Sequence, residues 1–503
     1  MQANQPRLSF WQIWNVSFGF LGVQFGFALQ NANVSRILTD LGADLHSLSL
    51  FWLVAPIMGL IVQPIVGSAS DRTWNKLGRR RPFILGGAIA AVVGMVLLPN
   101  APLFVVFIAP MLMGALMVAL MDASFNVCFQ PFRSLVSDMV PPSQRNVGYS
   151  IQSLLINIGA VIGSILPFVL TNVVGLENTA QMGEVAPSVI WAFYIGATVL
   201  LGSVIWTVLR TKEYSPEDYN RYKGIHANAA AVEKKAPFVT RMKGFFSLVI
   251  HMPKTMRQLA IVQFFSWFAL FIMWVYTTPA ITQHIWNVDK QWFDPAYIAS
   301  VPAVPLAITQ ARGEAGDWVG ILFAAYSVFA AIFSVFLARL ADSLGRKVVY
   351  AGALAIGGVS YMSFLLFQDL TLVNVNLWIT EVTVPMGAVK LLIPMIGIGI
   401  AWAAILAMPY AMLAGSLPAE KTGVYMGIFN FTVAAPQIVS GLTAGWILNH
   451  IFDNDAKYII VLAGVSMVLG AIAVFFVDEV TTQHATDAQN TPNSNEHPLE
   501  QGK

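Results

Sequence analysis

Charge is scarce in this 503-residue chain: Asp, Glu, Lys and Arg together make up 11% of it, and 56% is hydrophobic. Soluble domains carry about 25% charged residues, so with a mean hydropathy of +0.66 a polytopic membrane protein is implied. Cysteine occurs once, at Cys128 inside an apolar run, which leaves neither a disulfide framework nor a thiolate metal site. The seven histidines fall in loops or at helix ends without metal-ligand spacing. No Ser/His/Asp group, acid pair or Walker-type phosphate loop is present, so the sequence predicts no metal, no cofactor, no enzymatic activity and no ATP drive. A net charge of +2 argues against a nucleic-acid partner. The start, MQANQPRLSFWQIW, lacks a strongly charged region and a small-residue cleavage site, so the first helix is expected to be retained.

Long apolar runs are plentiful. Those long enough to span a bilayer lie near 10–32, 47–68, 83–100, 104–130, 146–173, 187–210, 258–283, 317–340, 348–367, 388–413, 424–448 and 457–477. The polar segment Thr211–Arg257 divides them into two sets of six. That predicts an all-α membrane protein of twelve transmembrane helices in two pseudo-symmetric six-helix bundles. Residues 1–210 form the N-terminal bundle, 211–257 a cytoplasmic central loop, 258–478 the C-terminal bundle and 479–503 a disordered tail. Within the central loop, Phe238, Met242, Phe245 and Phe246 recur at helical spacing with Arg241 and Lys243 between them, which suggests an amphipathic helix on the inner leaflet. The stretch 368–387 reads as a loop or a re-entrant segment, and 284–316 as a long outer loop whose Trp286, Trp292 and Phe293 could cover a cavity mouth. With both termini cytoplasmic, only Arg36, Lys290, Arg312, Lys390 and Lys457 fall outside, and the other 23 of 28 basic residues fall inside or at the inner edge.

The stretch Met111–Asp138 holds an acid, Asp122, within an apolar run, and Arg133 eleven residues later. An ionised carboxylate at the centre of a bilayer helix costs roughly 2.5–3.5 kcal/mol on insertion scales, so it must face a cavity or a partner. Eleven helical steps return to nearly the same face about 16 Å further on, and Asn126 shares that face one turn after the acid. The pattern reads as a proton-binding Asp122 in a water-accessible cavity, with Arg133 behind it and an amide between them.

Two loops echo one another. Gly67-Ser-Ala-Ser-Asp71-Arg72 leads to Gly78-Arg79-Arg80-Arg81, and Ala338-Arg-Leu-Ala-Asp342 leads to Gly345-Arg346-Lys347. A second echo is Pro142-Ser-Gln-Arg145 against Pro418-Ala-Glu-Lys421. The small residue permits close helix approach, the glycine a tight turn, and the acid a bond to an Arg or to a helix N-terminus. Asp71, Arg72, Arg79, Arg80, Asp138, Arg145, Asp342, Arg346 and Lys347 are expected to form the charge network of an inner gate; their alternative role is as topology signals.

These loops resemble the motif of the major facilitator superfamily. The longer first copy, with Gly22–Gln30, with Asp122, Asn126, Pro131, Arg133 and Asp138, and with Asn430, Pro436 and Gln437, resembles its sucrose–proton symporter branch, within the glycoside-pentoside-hexuronide cation symporter group. The resemblance implies proton-coupled import of a disaccharide by alternating access, with Asp122 and Arg133 coupling proton to sugar. Around the seventh run, Trp267–Pro279 lacks the charges that plant symporters carry there, which favours a bacterial member taking a sucrose- or maltose-like sugar. A monomer in the bacterial inner membrane, in contact with sugar, proton and lipid, is the corresponding expectation.

A sugar needs many hydrogen bonds and often an aromatic platform. The amides Gln24, Gln30, Asn31, Asn126, Asn157, Asn430 and Gln437 lie in apolar helices and are candidate ligands, or else interhelical bonds. The aromatics Trp267, Trp274, Tyr276 and Trp402 are candidates beside the alternative of belt or core packing. The rival functions are a sodium-coupled glycoside symporter, which would add acids in the second helix that are missing here, and a non-transporting membrane sugar sensor.

Overall fold

The computed structural model describes residues 5–223, 252–377, 379–414 and 422–478. The amphipathic pattern at Phe238–Phe246 and the tail 479–503 lie outside them. Before the central gap the helices are α1 (Phe10–Ser17), α2 (Gly19–Asp40), α3 (Leu45–Trp52), α4 (Val54–Arg72), α5 (Arg81–Leu97), α6 (Pro110–Met139), α7 (Arg145–Asn172), α8 (Pro187–Arg210) and α9 (Pro216–Lys223). After it come α10 (Lys254–His284), α11 (Pro295–Ser300), α12 (Leu306–Leu344), α13 (Arg346–Met362), α14 (Met386–Lys390), α15 (Leu392–Ala414), α16 (Thr422–His450) and α17 (Ala456–Val474). Helices dominate because backbone polar groups in hydrocarbon must be satisfied within the segment.

Ten helical segments among the described residues are long and apolar enough to cross a membrane. The 17-residue α5 is shorter. α2 is long enough at 22 residues, but Gln24, Gln30, Asn31, Asn33, Arg36 and Asp40 dilute its apolar character. The protein is an integral membrane protein. Apolar runs and helices part company at three places, one of them α6, which spans Pro110–Met139 where the apolar run lies at 104–130. α2 continues to Asp40, beyond the expected end near 32, and α12 begins at Leu306 rather than near 317. For α2 and α12 the reason is physical: the charges that mark loop boundaries in sequence are neutralised inside the helices, where Arg36 pairs with Asp317 at 2.9 Å. The ambiguous stretch 368–387 contains an antiparallel hairpin, β1 (Leu372–Asn376) with β2 (Glu381–Pro385), in register from Leu372 opposite Pro385 to Asn376 opposite Glu381. The described fold is thus helical with one small hairpin.

In the earlier set α2 packs on α7 and α8, and α6 on α4 and α5; in the later set α10 packs on α16 and α17, and α15 on α12 and α13. The two sets meet where α7 lies on α12 and where α3 and α4 lie on α16. The end carrying Arg79–Arg81 is called the basic end below, and the end carrying Arg36 the far end.

Candidate functional site

α6 presents Asp122, Asn126, Phe129 and Arg133 on one stripe, as 3.6-residue spacing dictates. Arg133 at its basic end is exposed, whereas Asp122 is only 1% exposed. Gln30 of α2, equally buried, donates from Nε2 to Asp122 Oδ1 at 2.7 Å. Asn126 donates from Nδ2 to the Asp122 backbone carbonyl at 2.8 Å and accepts from Gln63 Nε2 of α4 at 2.6 Å. Three helices are thereby tied at one turn of α6. Among the described residues no ion pair involves Asp122 or Arg133. Arg133 lies with its guanidinium 6.0 Å from the centre of the Phe129 ring and within electrostatic reach of Tyr410 on α15, across the junction of the two sets. Asp122 and Arg133 are thus not in contact: the acid is bonded to an amide, and the Arg stands toward the basic end.

α2 is buried on most sides, but Leu21, Gln24, Phe27 and Asn31 keep partial exposure at helical spacing. The polar pair Gln24 and Asn31 makes this an interior face rather than a lipid face, because α2 is surrounded by α6, α7, α8, α10 and α12. Phe27 joins it to α6 through Phe125 and Phe129, at ring distances of 5.3 and 5.5 Å. In the later set Trp267 and Trp274 of α10 and Trp402 of α15 form a triangle with ring centres 6.3, 5.8 and 5.9 Å apart. The indole N–H of Trp267 is buried without a partner among the described residues, and that of Trp274 is turned toward the Tyr326 hydroxyl. Aromatic faces beside an unspent donor form a surface on which a sugar ring can stack and bond.

Other candidates lie elsewhere. Tyr276 is fully buried and donates to the Leu45 carbonyl at 3.2 Å, so it joins the two sets toward the far end and is not part of the tryptophan triangle. Asn157 and Gln437 bond within their own helices, to the Ser153 and Val433 carbonyls, and Asn430 is exposed.

At the basic end the first-copy loop is tightly tied. Gly78 takes φ +111° in a turn closed by reciprocal bonds with Asn75, a conformation that side chains with a Cβ rarely adopt. It delivers the backbone N–H groups of Arg79, Arg80 and Arg81 onto the Glu213 carboxylate at 3.0–3.1 Å, a carboxylate-capped helix N-terminus. Arg80 reaches Asp138 at 3.2 Å and Ser70 at 2.6 Å. Arg79 lies over the Tyr219 ring at 4.6 Å, and Tyr219 donates to Asp138 at 3.3 Å. Burial, then the neighbouring Asp138 carboxylate, pushes the Tyr219 hydroxyl pKa up. Gly67 lies against Gln130. The side chains of Asp71, Arg72 and Arg145 lie outside what the structure describes. The second copy is looser: Asp342 and Arg346 are exposed, Gly345 has φ +87°, Arg346 donates to the Ala411 carbonyl at 3.2 Å, and Lys347 donates to the Phe475 carbonyl at 3.5 Å. These described contacts of Arg79, Arg80 and Asp138 lie within the earlier set.

The far end carries bonds between sets. Arg36 of α2 pairs with Asp317 of α12 at 2.9 Å and donates to the Asn178 carbonyl, while Asn178 donates to Asp317 at 3.0 Å. Arg312 pairs with Asp40 at 3.0 Å. Ser49 Oγ accepts from the Gly445 N–H at 3.2 Å, where the absence of a Cβ lets α16 approach the His46 carbonyl. Sequence does not single out Gln63, Glu213, Asp40, Asn178 or Asp317. Gln63 carries the same signal as the other amides, an amide in an apolar run; the others sit at run edges, where a charge or amide reads as loop.

Such a chain, with polar groups turned inward between two helix sets and a charged seam across one end, has the build of a membrane transporter. Residues 35–286 match the family described as MFS/sugar transport protein, and residues 294–499 match the Major Facilitator Superfamily. The chain belongs to the major facilitator superfamily. It is 31% identical over 169 residues to the mouse (Mus musculus) "Proton-associated sugar transporter A", covering 32% of this chain and 22% of that protein. It is 26% identical over 273 residues to the "General alpha-glucoside permease" of Schizosaccharomyces pombe, covering 52% and 46%. It is 27% identical over 464 residues to "Sucrose transport protein SUT5" of Oryza sativa subsp. indica, covering 84% and 79%. The match thus spans about a fifth of the mouse relative and under half of the yeast one. Among solved structures the nucleoside transporter NupG superposes with a TM-score of 0.58 at 13% identity, over 93% of this chain and all of that one, which establishes the fold.

Proposed function

We propose that the protein imports a sucrose- or maltose-like disaccharide by proton symport, through alternating access, in the bacterial inner membrane. Twelve spans in bundles 1–210 and 258–478 are joined by a cytoplasmic segment 211–257. Both termini, the tail 479–503 included, lie on the cytoplasmic side, so the basic end is inner and the far end outer. The observation that carries this reading is Asp122: a buried acid with no ion pair among the described residues, on a helix stripe that runs to an exposed Arg133. A charge left so costs several kcal/mol, whereas a neutral acid costs far less, so the site favours proton uptake. The relatives named for proton-associated sugar transport, α-glucoside and sucrose support the substrate class.

In the cycle, Asp122 takes a proton from the outer side, the sugar binds between the Gln24–Asn31 face of α2 and the tryptophan triangle, and the neutral loaded site permits outer closure. Inward opening then rehydrates the stripe toward Arg133, and the proton leaves inward. One proton supplies about 2.3 kcal/mol per 100 mV and about 1.4 per pH unit, enough for tens- to hundredfold accumulation. The loops that hold Arg79, Arg80, Asp138, Asp342, Arg346 and Lys347 would organise the inner gate. The test is uptake into proteoliposomes under an imposed proton gradient, with sucrose and maltose as labelled sugars. Asp122→Asn should abolish accumulation and sugar-induced alkalinisation while sparing counterflow exchange. Normal alkalinisation in that variant refutes the reading, and counterflow against a panel of unlabelled mono- and disaccharides identifies the sugar.

A further inference from the structure

Two buried acceptors at the heart of the site have no partner among the described residues. Gln30 Nε2 donates to Asp122 Oδ1 at 2.7 Å, yet Gln30 Oε1 and Asp122 Oδ2 are both enclosed without a hydrogen bond, on side chains that are each 1% exposed. Buried polar atoms are normally bonded, and two lone-pair atoms cannot satisfy each other. A protonated carboxyl adds one O–H donor, and an amide oxygen is an acceptor. One proton on Oδ2 therefore supplies what both orphans lack.

We propose that Gln30 is the positioning residue for the proton on Asp122, closing a cyclic acid–amide pair in which Nε2–H donates to Oδ1 and Oδ2–H donates to Oε1. This rests on the reading of Asp122 as the proton-binding acid. In this pair the proton is held out of water, and the outer-closed state is specified for a neutral carboxyl. When the proton leaves, Gln30 Oε1 faces an anion, its second bond is lost, and α2 and α6 are no longer held by two bonds. The Gln30 contact thus senses the proton's presence and carries that state to α2, whose next two turns hold Arg36.

The charged groups on the helices around the pair make no ion pair with Asp122 among the described residues. On α2 these are Arg36, six residues or about 9 Å along the axis, and Asp40, paired with Asp317 and Arg312 of α12 respectively. On α5 Arg81 pairs with Glu213. Asp71 and Arg72 of α4, Arg145 of α7, Arg210 of α8, Lys254 and Arg257 of α10, and Arg133 and Asp138 of α6 itself lie toward the basic ends of their helices. His46 of α3 and His284 of α10 lie toward the far end. α1 has no ionisable side chain, and Cys128 of α6 donates to the Ile84 carbonyl at 3.3 Å.

The experiment is pH-difference infrared spectroscopy of the full chain in lipid nanodiscs. The wild type should show a protonated-carboxyl C=O band that Asp122→Asn removes. In Gln30→Leu, and in Gln30→Met as a second variant of similar length, the band should persist but move to higher wavenumber, because the acid has lost its acceptor. In wild-type protein carrying 13C-glutamine, a glutamine carbonyl band should shift at the same midpoint as the carboxyl band. A carboxyl band at the wild-type position in the Gln30 variants overturns the proposal, as does a glutamine signal that ignores the titration. If Asp122→Asn leaves every carboxyl band in place, it is the assignment of the acid that fails, and the pair with it.

Discussion

Asp317→Asn puts the far-end seam to a quantitative test. Arg36 then loses the carboxylate at 2.9 Å but keeps the Asn178 carbonyl and an Asp40 oxygen at 4.0 Å. Removing one partner of a buried ion pair costs about 3–5 kcal/mol. The contacts that Arg36 retains place this case at the low end, about 3 kcal/mol. On the proposed alternating-access reading the penalty falls on the state closed at the far end alone, because opening there returns the guanidinium to water. At about 1.4 kcal/mol per tenfold, the closed-to-open ratio falls by about a hundredfold. The single native cysteine makes the assay clean: a Cys128→Ala background carries none. Ser49→Cys then reports the seam, since Ser49 is buried and accepts from Gly445 across the two sets. Labelling with a membrane-impermeant maleimide from the side the far end faces, the outer side on the proposed orientation, should accelerate about ten- to hundredfold in Asp317→Asn. Removing both charges, in Arg36→Asn with Asp317→Asn, should bring the rate back toward the parent, since no uncompensated charge is left. A labelling rate in Asp317→Asn within about twofold of the parent refutes the lock.

Two predictions concern the ends of the molecule. Glu213→Gln keeps one acceptor but withdraws the charge that three backbone N–H groups share, which should cost about 1 kcal/mol; a lower Tm in detergent is expected, and an unchanged Tm would sink the capping role. Asp369 is held at about 2 by its bond from Lys390 at 2.6 Å, aided by the Thr371 N–H at 3.1 Å. Its folded value lies below the unfolded value of about 4, so its hold on the 372–385 hairpin is complete above about pH 4 and is lost as pH falls through about 2. Protection of the hairpin amides, taken relative to their intrinsic exchange rates at each pH, should therefore fall over that window in the wild type, and Lys390→Ala should remove that dependence; wild-type protection that does not change across the window contradicts the assignment.

Much of the architecture is legible in sequence because hydrocarbon imposes a local rule: each span must satisfy its own backbone. The helices α7, α8, α10 and α17 follow their apolar runs closely. The rule fails where charge is paired over a distance. Arg36 and Asp317 are 281 positions apart, so each looks like the edge of a span, and hydropathy alone makes α2 and α12 too short. The hairpin at 372–385 escapes for another reason: its pairing is set by short-range β register, to which hydropathy is blind.

The candidate site divides along the same line. That Asp122 lies deep in a helix, and that Asn126 and Arg133 share its face, follows from composition and the 3.6-residue period, both local properties. Which group holds the acid does not: Gln30 lies 92 positions away and Gln63 reaches Asn126 from another helix, and only the packing of α2 and α4 on α6 brings them together. Likewise Trp267, Trp274 and Trp402 are separate aromatics until α10 meets α15, whereas Tyr276, on the same helix as the first two, turns instead to the Leu45 carbonyl. Sequence determined which residues would be buried and on which face; tertiary structure decided their partners, because a hydrogen bond or ion pair forms between neighbours in space and leaves no periodic trace along the chain.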